Sequence, residues 1–160
     1  EVEILTDGGD RAYYSPSQDK IHLPSPGSFT SEYAFNATAL HELSHATGHP
    51  SRLDRDMGGF FGSSQYAYEE LVAEMCSCFM GVNLDQTASP DHINNHKAYV
   101  QSWIKAIRDK PETLIRAIKD AQSAAAFMDW KAGLITDKEY SQTMNSTMEI
   151  ATRSRDRDAR

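Results

Sequence analysis

Apolar residues recur every three or four positions through most of the chain beyond residue 30, which is the spacing of one buried face of an α-helix. Two of these stripes follow Pro90 and Pro111, and proline is favoured in the first turn of a helix, where Ser89 can cap the first of them. The pattern predicts one helix from Pro90 to about Arg108 and another from Pro111 to Gly133. Their inward positions are Ile93, Val100, Trp103, Ile104, Ile107, Leu114, Ile118, Ala121, Ala125 and Met128.

A helix with a narrower apolar face is predicted over residues 31–47. Ser31 or Thr30 can cap its first turn, because a hydroxyl oxygen there accepts a free backbone N–H. Gly48 stands where a helix commonly ends. The inward positions are Tyr33, Ala37 and Leu40.

Two more helices follow from capping patterns. Ser64 can cap a helix from Gln65 to Met80, with Gly81 as its stop. The segment Thr136–Glu139 fits a capping box and predicts a last, weaker helix. Residues from Arg153 onward are poor in apolar side chains, so a disordered tail is expected.

The first 27 residues read as extended chain. The runs Arg11–Tyr14 and Lys20–Leu23 favour strands, and the residues between them, 15–19, have the composition of a turn. Pro24 ends the second run, since proline cannot donate to a sheet. A β-hairpin is predicted here.

The motif His41-Glu42-Leu43-Ser44-His45 lies in the last two turns of the 31–47 helix. Residues four apart share one face of a helix, so His41 and His45 can both direct a ring nitrogen at one metal ion. Glu42 is offset by one residue, and its carboxylate can take a proton from water acidified by a bound Zn²⁺. The motif predicts a zinc hydrolase that acts on amide bonds.

A catalytic zinc site usually has three protein ligands, so a third must come from elsewhere in the chain. The downstream candidates are His49, Glu69, Glu70 and Glu74. His49 lies beyond the helix stop, whereas Glu70 and Glu74 share one face of the next helix. We expect one of these two carboxylates to bind zinc and the other to accept the N–H of a ligand histidine, which fixes its tautomer.

Other polar residues receive structural interpretations. His92 and His96 are four apart on a predicted helix, but Ile93 stands in place of a catalytic glutamate, so a solvated or capping role is expected. Three tyrosines could each donate a phenol to an oxyanion, although packing at a core or rim is the more common role. They are Tyr66, Tyr68 and Tyr99.

Composition narrows the class of protein. The formal net charge of −7 disfavours a broad nucleic-acid surface, so we do not expect this chain alone to bind DNA. No apolar run approaches the roughly 20 residues that span a membrane. The chain begins at Glu1 without an initiator methionine or a signal-peptide pattern, so we expect a fragment or processed product in the cytoplasm. Cys76 and Cys78 lie two apart on a helix, where side chains diverge, and are expected to be reduced thiols.

Further groups of residues surround the His-Glu-x-x-His motif: Ala12–Ser17, Asp19, Ile21, Pro24, Thr47–Pro50, Arg52–Arg55, Phe61–Gly62, Tyr66–Ala67, Glu69–Glu74, His96–Val100 and Ser102–Trp103. Together they resemble the zincin-like metallopeptidase domain found at the C-terminus of ArdC-type antirestriction proteins, with related domains in conjugative primases and phage polyvalent proteins. The resemblance covers about residues 10–128.

The resemblance implies an α+β, zincin-like metallopeptidase fold with a small antiparallel β element, an active-site helix and a helical C-terminal half. It also implies a zinc peptidase with His41, His45 and a helix glutamate as ligands. In glutamate-type zincins the ligand is followed four residues later by an acid that orients a histidine, which assigns these roles to Glu70 and Glu74. An edge strand pairs with the extended substrate in zincins, and Lys20–Leu23 is expected to be that edge.

The expected organisation is a zincin-like domain over residues 1–130 and a C-terminal helix with a tail over residues 131–160. The expected partner is a peptide or protein substrate, in a chain from a plasmid, phage or other mobile element with an antirestriction or defence-related role. The alternative is a non-catalytic zinc domain that blocks a defence protein or DNA. Glu42 favours catalysis, because a purely structural zinc has no use for it.

Overall fold

The computed structural model describes residues 1–7, 9–84, 86, 90–106 and 111–158, without the side chains of residues 91, 92, 106 and 148–158. Within these residues, three short strands precede five α-helices, so the predicted α+β class is confirmed. The strands are β1 (Glu3–Thr6), β2 (Tyr13–Ser15) and β3 (Lys20–Leu23). The helices are α1 (Glu32–Ala46), α2 (Ser64–Asn83), α3 (Pro90–Ala106), α4 (Pro111–Lys131) and α5 (Asp137–Asp158), with a 3₁₀ turn at Pro26–Ser28.

The strands form one sheet in the order β1-β3-β2. β2 and β3 make the predicted hairpin, with Tyr14 opposite Ile21. β1 runs parallel to β3 and sets Ile4 opposite Ile21. The sheet is therefore mixed, whereas the expectation was antiparallel throughout.

The prediction that Lys20–Leu23 offers a free edge is wrong, because this strand is paired on both sides. Ile21 and Leu23 point into the core, as expected for a central strand covered on one face. The sequence missed β1 because it is short and three of its four residues are exposed. The free edges of the described sheet belong to β1 and β2.

Helix boundaries follow the capping residues closely. Ser31 accepts the Ala34 N–H at the start of α1, as predicted. At α2 the cap is Ser63 rather than Ser64, since the Ser63 hydroxyl accepts the Tyr66 N–H. α2 also continues past Gly81 to Asn83, so that glycine is not its stop.

The C-terminal capping predictions are confirmed. Gly133 adopts a φ of +73° just after α4, a conformation that glycine takes without strain. Thr136 and Glu139 exchange the two hydrogen bonds of a capping box at α5. The predicted cap Ser89 and the helix end at Ile107 and Arg108 lie outside the described residues.

The central helix is α2, which packs against α1, α3 and α4. Ala117, Ala121 and Ala124 of α4 are fully buried in the cluster that also contains Leu71 and Val72 of α2. Such small side chains let two helices approach closely. A second apolar cluster joins the sheet to α1, so α1 is held between the sheet and α2.

The last helix packs on α4, where the rings of Trp130 and Tyr140 stack 4.6 Å apart. α5 continues to Asp158, so residues 153–158 are helical where a disordered tail was expected; arginine is a good helix former even without apolar neighbours. The division of the chain at residue 130 stays a prediction. Among the described residues, no helix is both long and apolar enough to cross a membrane.

Candidate metal centre

Two imidazoles converge at the end of α1. His41 and His45 lie one helical turn apart, and their rings meet edge to face with centroids 4.8 Å apart. Their Nε2 atoms are 3.1 Å from each other. The helix spacing therefore brings the two nitrogens to one point, as the motif predicts.

Glu70 of α2 reaches the same point from the facing helix. Its Oε2 lies 3.6 Å from His41 Nε2, and its Oε1 lies 3.6 Å from His45 Nε2. Ligands about 2.0–2.1 Å from a tetrahedral zinc ion are about 3.3 Å apart, which is close to these separations. The three side chains thus fit a small divalent cation without rearrangement.

The outer nitrogen of each imidazole meets a different carboxylate. His41 Nδ1 lies 3.4 Å from Glu74 Oε2, and His45 Nδ1 lies 3.2 Å from Glu69 Oε1. A carboxylate in this position accepts the Nδ1–H, which leaves the Nε2 lone pair directed at the centre. Glu74 thus lies beside the outer nitrogen of His41, and its role as the acid that orients this histidine stays a prediction.

Glu69 is a site residue that the sequence reasoning left without a role. Arg55 donates to both of its oxygens, at 3.0 Å from Nε and 2.7 Å from Nη2. Arg55 also donates to the Thr47 hydroxyl and the Ser44 carbonyl at the end of α1. The guanidinium thus links Glu69 to the helix that carries the histidines. The sequence does show an arginine in the loop that follows the motif, but Glu69 is 14 residues further along the chain, so the sequence does not reveal that the two residues pair.

Excess negative charge surrounds the two imidazoles. Burial lowers the pKa of His41, but Glu70 and Glu74 outweigh burial and raise it to about 10. In the absence of a metal, a proton on His41 balances part of this negative charge. A divalent cation at the Nε2 atoms supplies the same balance, so the donor set suits one.

The convergence point opens into a cavity of about 380 Å³. Glu42, which is buried, forms part of its wall, and so does Tyr66. A Cβ on Gly59 would lie 2.3 Å from the backbone nitrogen of Tyr66, so only glycine lets the loop pass α2 this closely. The remaining lining residues are Ala12, Tyr13, Tyr14, Pro16, His41, His45, Met57, Glu69 and Glu70.

The structure separates the three candidate tyrosines. Tyr66 faces the cavity, and burial together with the negative charge of Glu70 raises its pKa to about 12. The Tyr68 hydroxyl instead donates to Asp120 at 2.6 Å, and Tyr99 is exposed. Tyr66 alone among them can address a ligand in the cavity.

Two of the histidines considered earlier have other partners. His49 Nδ1 lies 2.8 Å from the Ser51 hydroxyl, beyond the end of α1 and away from the centre. The expectation that His96 is solvated or caps a helix is wrong, since its Nδ1 contacts Glu74 Oε1 and its Nε2 lies 3.2 Å from the Tyr33 hydroxyl. α3 packing on α2 creates these contacts, and helix periodicity cannot reveal them. The side chain of His92 lies outside the described residues.

The hairpin is tied to the same end of α1. Arg52 forms a bidentate ion pair with Asp19 in the hairpin turn and donates to the Ala46 carbonyl at 2.6 Å. Tyr14 donates to Asp19 at 2.8 Å. These contacts fix β2 next to the end of α1, where Tyr13 and Tyr14 form part of the wall of the cavity.

Comparisons with known proteins show the family of this chain. A family model described as zincin-like metallopeptidase matches residues 1–120. Two proteins named DNA primase TraC from Escherichia coli are 51% and 53% identical over 119 and 114 residues. Those stretches cover 74% and 71% of this chain but only 11% and 8% of the primases. The uncharacterized protein y4eC of Sinorhizobium fredii is 40% identical over 123 residues, which are 76% of this chain and 39% of that protein.

Solved structures give the same relationship. The antirestriction protein ArdC from plasmid R388 superposes in its Mn(II)-bound form with a TM-score of 0.70 at 36% identity, and in its metal-free form with 0.67 at 37%. Each comparison covers 84% of this chain and about half of ArdC, 49% and 48%. The matched family model covers both converging helices, and one of the two ArdC structures is Mn(II)-bound. The chain belongs to the zincin-like metallopeptidase family.

Proposed function

We propose that this chain is a zinc-dependent peptidase. One observation carries the proposal: His41, His45 and Glu70 converge on a single point in a cavity whose wall also contains the buried carboxylate of Glu42. A metal site that served only the fold would be closed by a fourth protein ligand. Among the described residues, the group converging here has three.

Zinc suits the donors better than manganese does. Two imidazoles and one carboxylate are a common set of protein ligands for catalytic zinc. Manganese prefers oxygen donors and binds nitrogen sites more weakly in the usual order of affinities. Mn(II) in the ArdC crystal is therefore compatible with a site that binds zinc more tightly.

When bound, the ion would polarise a carbonyl and make water more acidic. Glu42 is then the base: its carboxylate accepts a proton from the attacking water and returns it to the leaving amine. The hydroxyl of Tyr66, whose pKa is raised to about 12, is protonated at neutral pH and can donate to the developing oxyanion. Glu69 and Glu74 hold the Nδ1–H of His45 and His41 throughout.

The substrate we propose is an extended peptide segment lying along β2. Tyr13 and Tyr14 of β2 line the cavity, and this strand has a free edge that can pair with a peptide backbone. The relatives named as a plasmid antirestriction protein and a primase suggest a chain carried by a mobile element, with a substrate protein in the cytoplasm that serves defence or restriction.

The test uses a peptide library derived from a bacterial proteome and zinc-loaded protein. We expect wild type to cleave a subset of peptides, and Glu42→Gln to bind zinc equally while cleaving about 10²–10⁴-fold more slowly. Glu32→Gln, an exposed position at the start of the same helix, is the matched control and should cleave normally.

Cleavage by Glu42→Gln at the wild-type rate would reject this mechanism. A wild-type protein that binds zinc but cleaves nothing in the library would favour the alternative, a non-catalytic domain that blocks a defence protein.

A further inference from the structure

Glu74 lies between two imidazoles and uses one oxygen for each. Its Oε2 is 3.4 Å from His41 Nδ1, and its Oε1 contacts His96 Nδ1. The carboxylate is buried, with 7% of the residue exposed. Both oxygens of a buried carboxylate need partners, and here each partner is a ring nitrogen.

His96 is itself fixed on its other side. Its Nε2 lies 3.2 Å from the hydroxyl of Tyr33, in the first turn of α1. A continuous chain of contacts therefore leaves α1 at Tyr33, crosses α3 and α2, and returns to α1 at His41. The metal-facing Nε2 of His41 is the end of that chain.

The other ligand histidine has an equivalent arrangement. His45 Nδ1 meets Glu69, and Glu69 is held by two N–H groups of Arg55. Each imidazole is thus backed by a carboxylate and then by a nitrogen donor from another segment. On the His41 side, His96 occupies the place that Arg55 has on the His45 side.

We propose that His96 is a positioning residue, which holds Glu74 in the rotamer that accepts the His41 N–H and so increases the affinity of the site for its metal. The proposal rests on the metal site of the proposed function and does not depend on peptide cleavage. It gives a role to a histidine about 20 residues beyond the acidic helix segment that faces the metal.

The same residues suggest a different role for His96. Donor atoms of Glu74, Cys78 and His96 all lie within 4.8 Å of one another and could bind a second cation. Both ring nitrogens of His96 already have partners, so a cation there would have to displace one of them. The positioning role needs no displacement, and the cation becomes an outcome of the test.

The experiment compares two amide replacements of the same ring. In His96→Asn the amide nitrogen occupies about the position of Nδ1 and can still donate to Glu74, whereas in His96→Gln it occupies about the position of Nε2. Zinc affinity is measured by competition with a chromophoric chelator, with Zn²⁺ alone as the probe. We expect His96→Gln to bind zinc about 10-fold more weakly and His96→Asn to remain close to wild type.

Two controls separate positioning from general damage. Asn95→Ala, an exposed neighbour on α3, should not change the affinity. In a Glu74→Gln background, His96→Gln should cause little further loss, because residues that act through one another are not additive. Thermal unfolding of the metal-free proteins checks that each variant folds, and the comparison of His96→Asn with His96→Gln is made between the folded proteins.

Three results would overturn the proposal. The Asn and Gln variants could bind zinc equally, or the loss from His96→Gln could persist in full in the Glu74→Gln background. The third is a cobalt–thiolate charge-transfer band in Co²⁺-loaded protein that disappears in Cys78→Ser, which would make His96 a ligand of a second ion. Unchanged zinc affinity in His96→Gln would overturn the proposal whatever happens to peptidase activity. A zinc affinity that falls as expected in a protein that cleaves no peptide would support the proposal and reject the proposed function.

Discussion

Glu69 and Glu70 are neighbours in the chain, yet they face opposite nitrogens of one imidazole. Glu69 Oε1 lies 3.2 Å from His45 Nδ1, and Glu70 Oε1 lies 3.6 Å from His45 Nε2. Successive residues of a helix differ by about 100° in direction, so two adjacent carboxylates can pass on either side of a single ring. Glu70 faces the point where the two Nε2 atoms converge, and Glu69 faces Arg55.

Removing Glu70 should remove the metal. We expect Glu70→Ala to be purified largely free of zinc, because two imidazoles alone bind it orders of magnitude more weakly. Glu74→Gln should keep zinc at high concentration but bind it about 10–100-fold more weakly. Metal analysis together with a zinc titration measures both, and the reverse ranking would move the ligand to Glu74.

Removing the charge of Glu69 should destabilise the fold itself. Glu69→Gln leaves the buried guanidinium of Arg55 without its charged partner, which typically costs about 3–5 kcal/mol. The measurement is chemical denaturation of metal-free protein. Glu70→Gln is the matched control: Glu70 contacts His41 and His45 at 3.6 Å and pairs with neither as closely as Glu69 pairs with Arg55, so its metal-free form should lose less stability than Glu69→Gln. Equal losses in the two variants would contradict the assignment.

The ion pair between Asp19 and Arg52 should make stability depend on acid pH. The Arg52 guanidinium lowers the pKa of Asp19 from 3.8 to about 2. A carboxyl with a lowered pKa stabilises the fold fully above its unfolded pKa, and that contribution is lost as the pH falls from about 4 to about 2. Since Asp19 is partly exposed, we expect about 1 kcal/mol at neutral pH after screening.

Asp19→Asn is the appropriate variant, because position 19 has a φ of +52° and asparagine tolerates that conformation. The difference in unfolding free energy between wild type and Asp19→Asn should be constant above pH 5 and shrink towards zero at pH 2. A difference independent of pH would mean that the pair contributes no electrostatic stability.

Substrate should pair with β2 rather than with Lys20–Leu23. The free edge of β2 lies beside the cavity, whereas β3 is paired on both sides. A slowly cleaved peptide bound to zinc-loaded Glu42→Gln should slow hydrogen exchange of backbone amides in Tyr13–Ser15. Exchange in the other edge strand, Glu3–Thr6, should be unaffected; protection confined to that strand would place the peptide elsewhere.

Local sequence signals were sufficient for the helices and for the two histidines. Caps, prolines and apolar spacing act within a few residues, so α1 and the spacing of His41 from His45 follow from them directly. β1 was missed because its pairing with β3 joins residues 17 apart in the chain and leaves most of the strand exposed. Because β1 was missed, Lys20–Leu23 was wrongly predicted to be an edge strand.

The sequence was enough to select Glu70 and Glu74 as candidate site residues. It was not enough to predict the residues that contact the outer nitrogens and carboxylates around them. Glu70 and Glu74 stood out because their spacing matches one helix face. Glu69 and His96 acquire their roles only when the loop containing Arg55 and the helix α3 fold against α2. Contacts between segments far apart in the chain leave no periodic pattern in a single sequence.

The three carboxylates of α2 also restrict how the gene can vary in length. Insertion or deletion of one codon between those for Ser64 and Glu69 would turn every later residue of the helix by about 100°. An insertion would then direct Glu70 towards the position where Leu71 is now fully buried in the core. Gaps in an alignment of relatives should therefore avoid this segment and collect in the connections between helices.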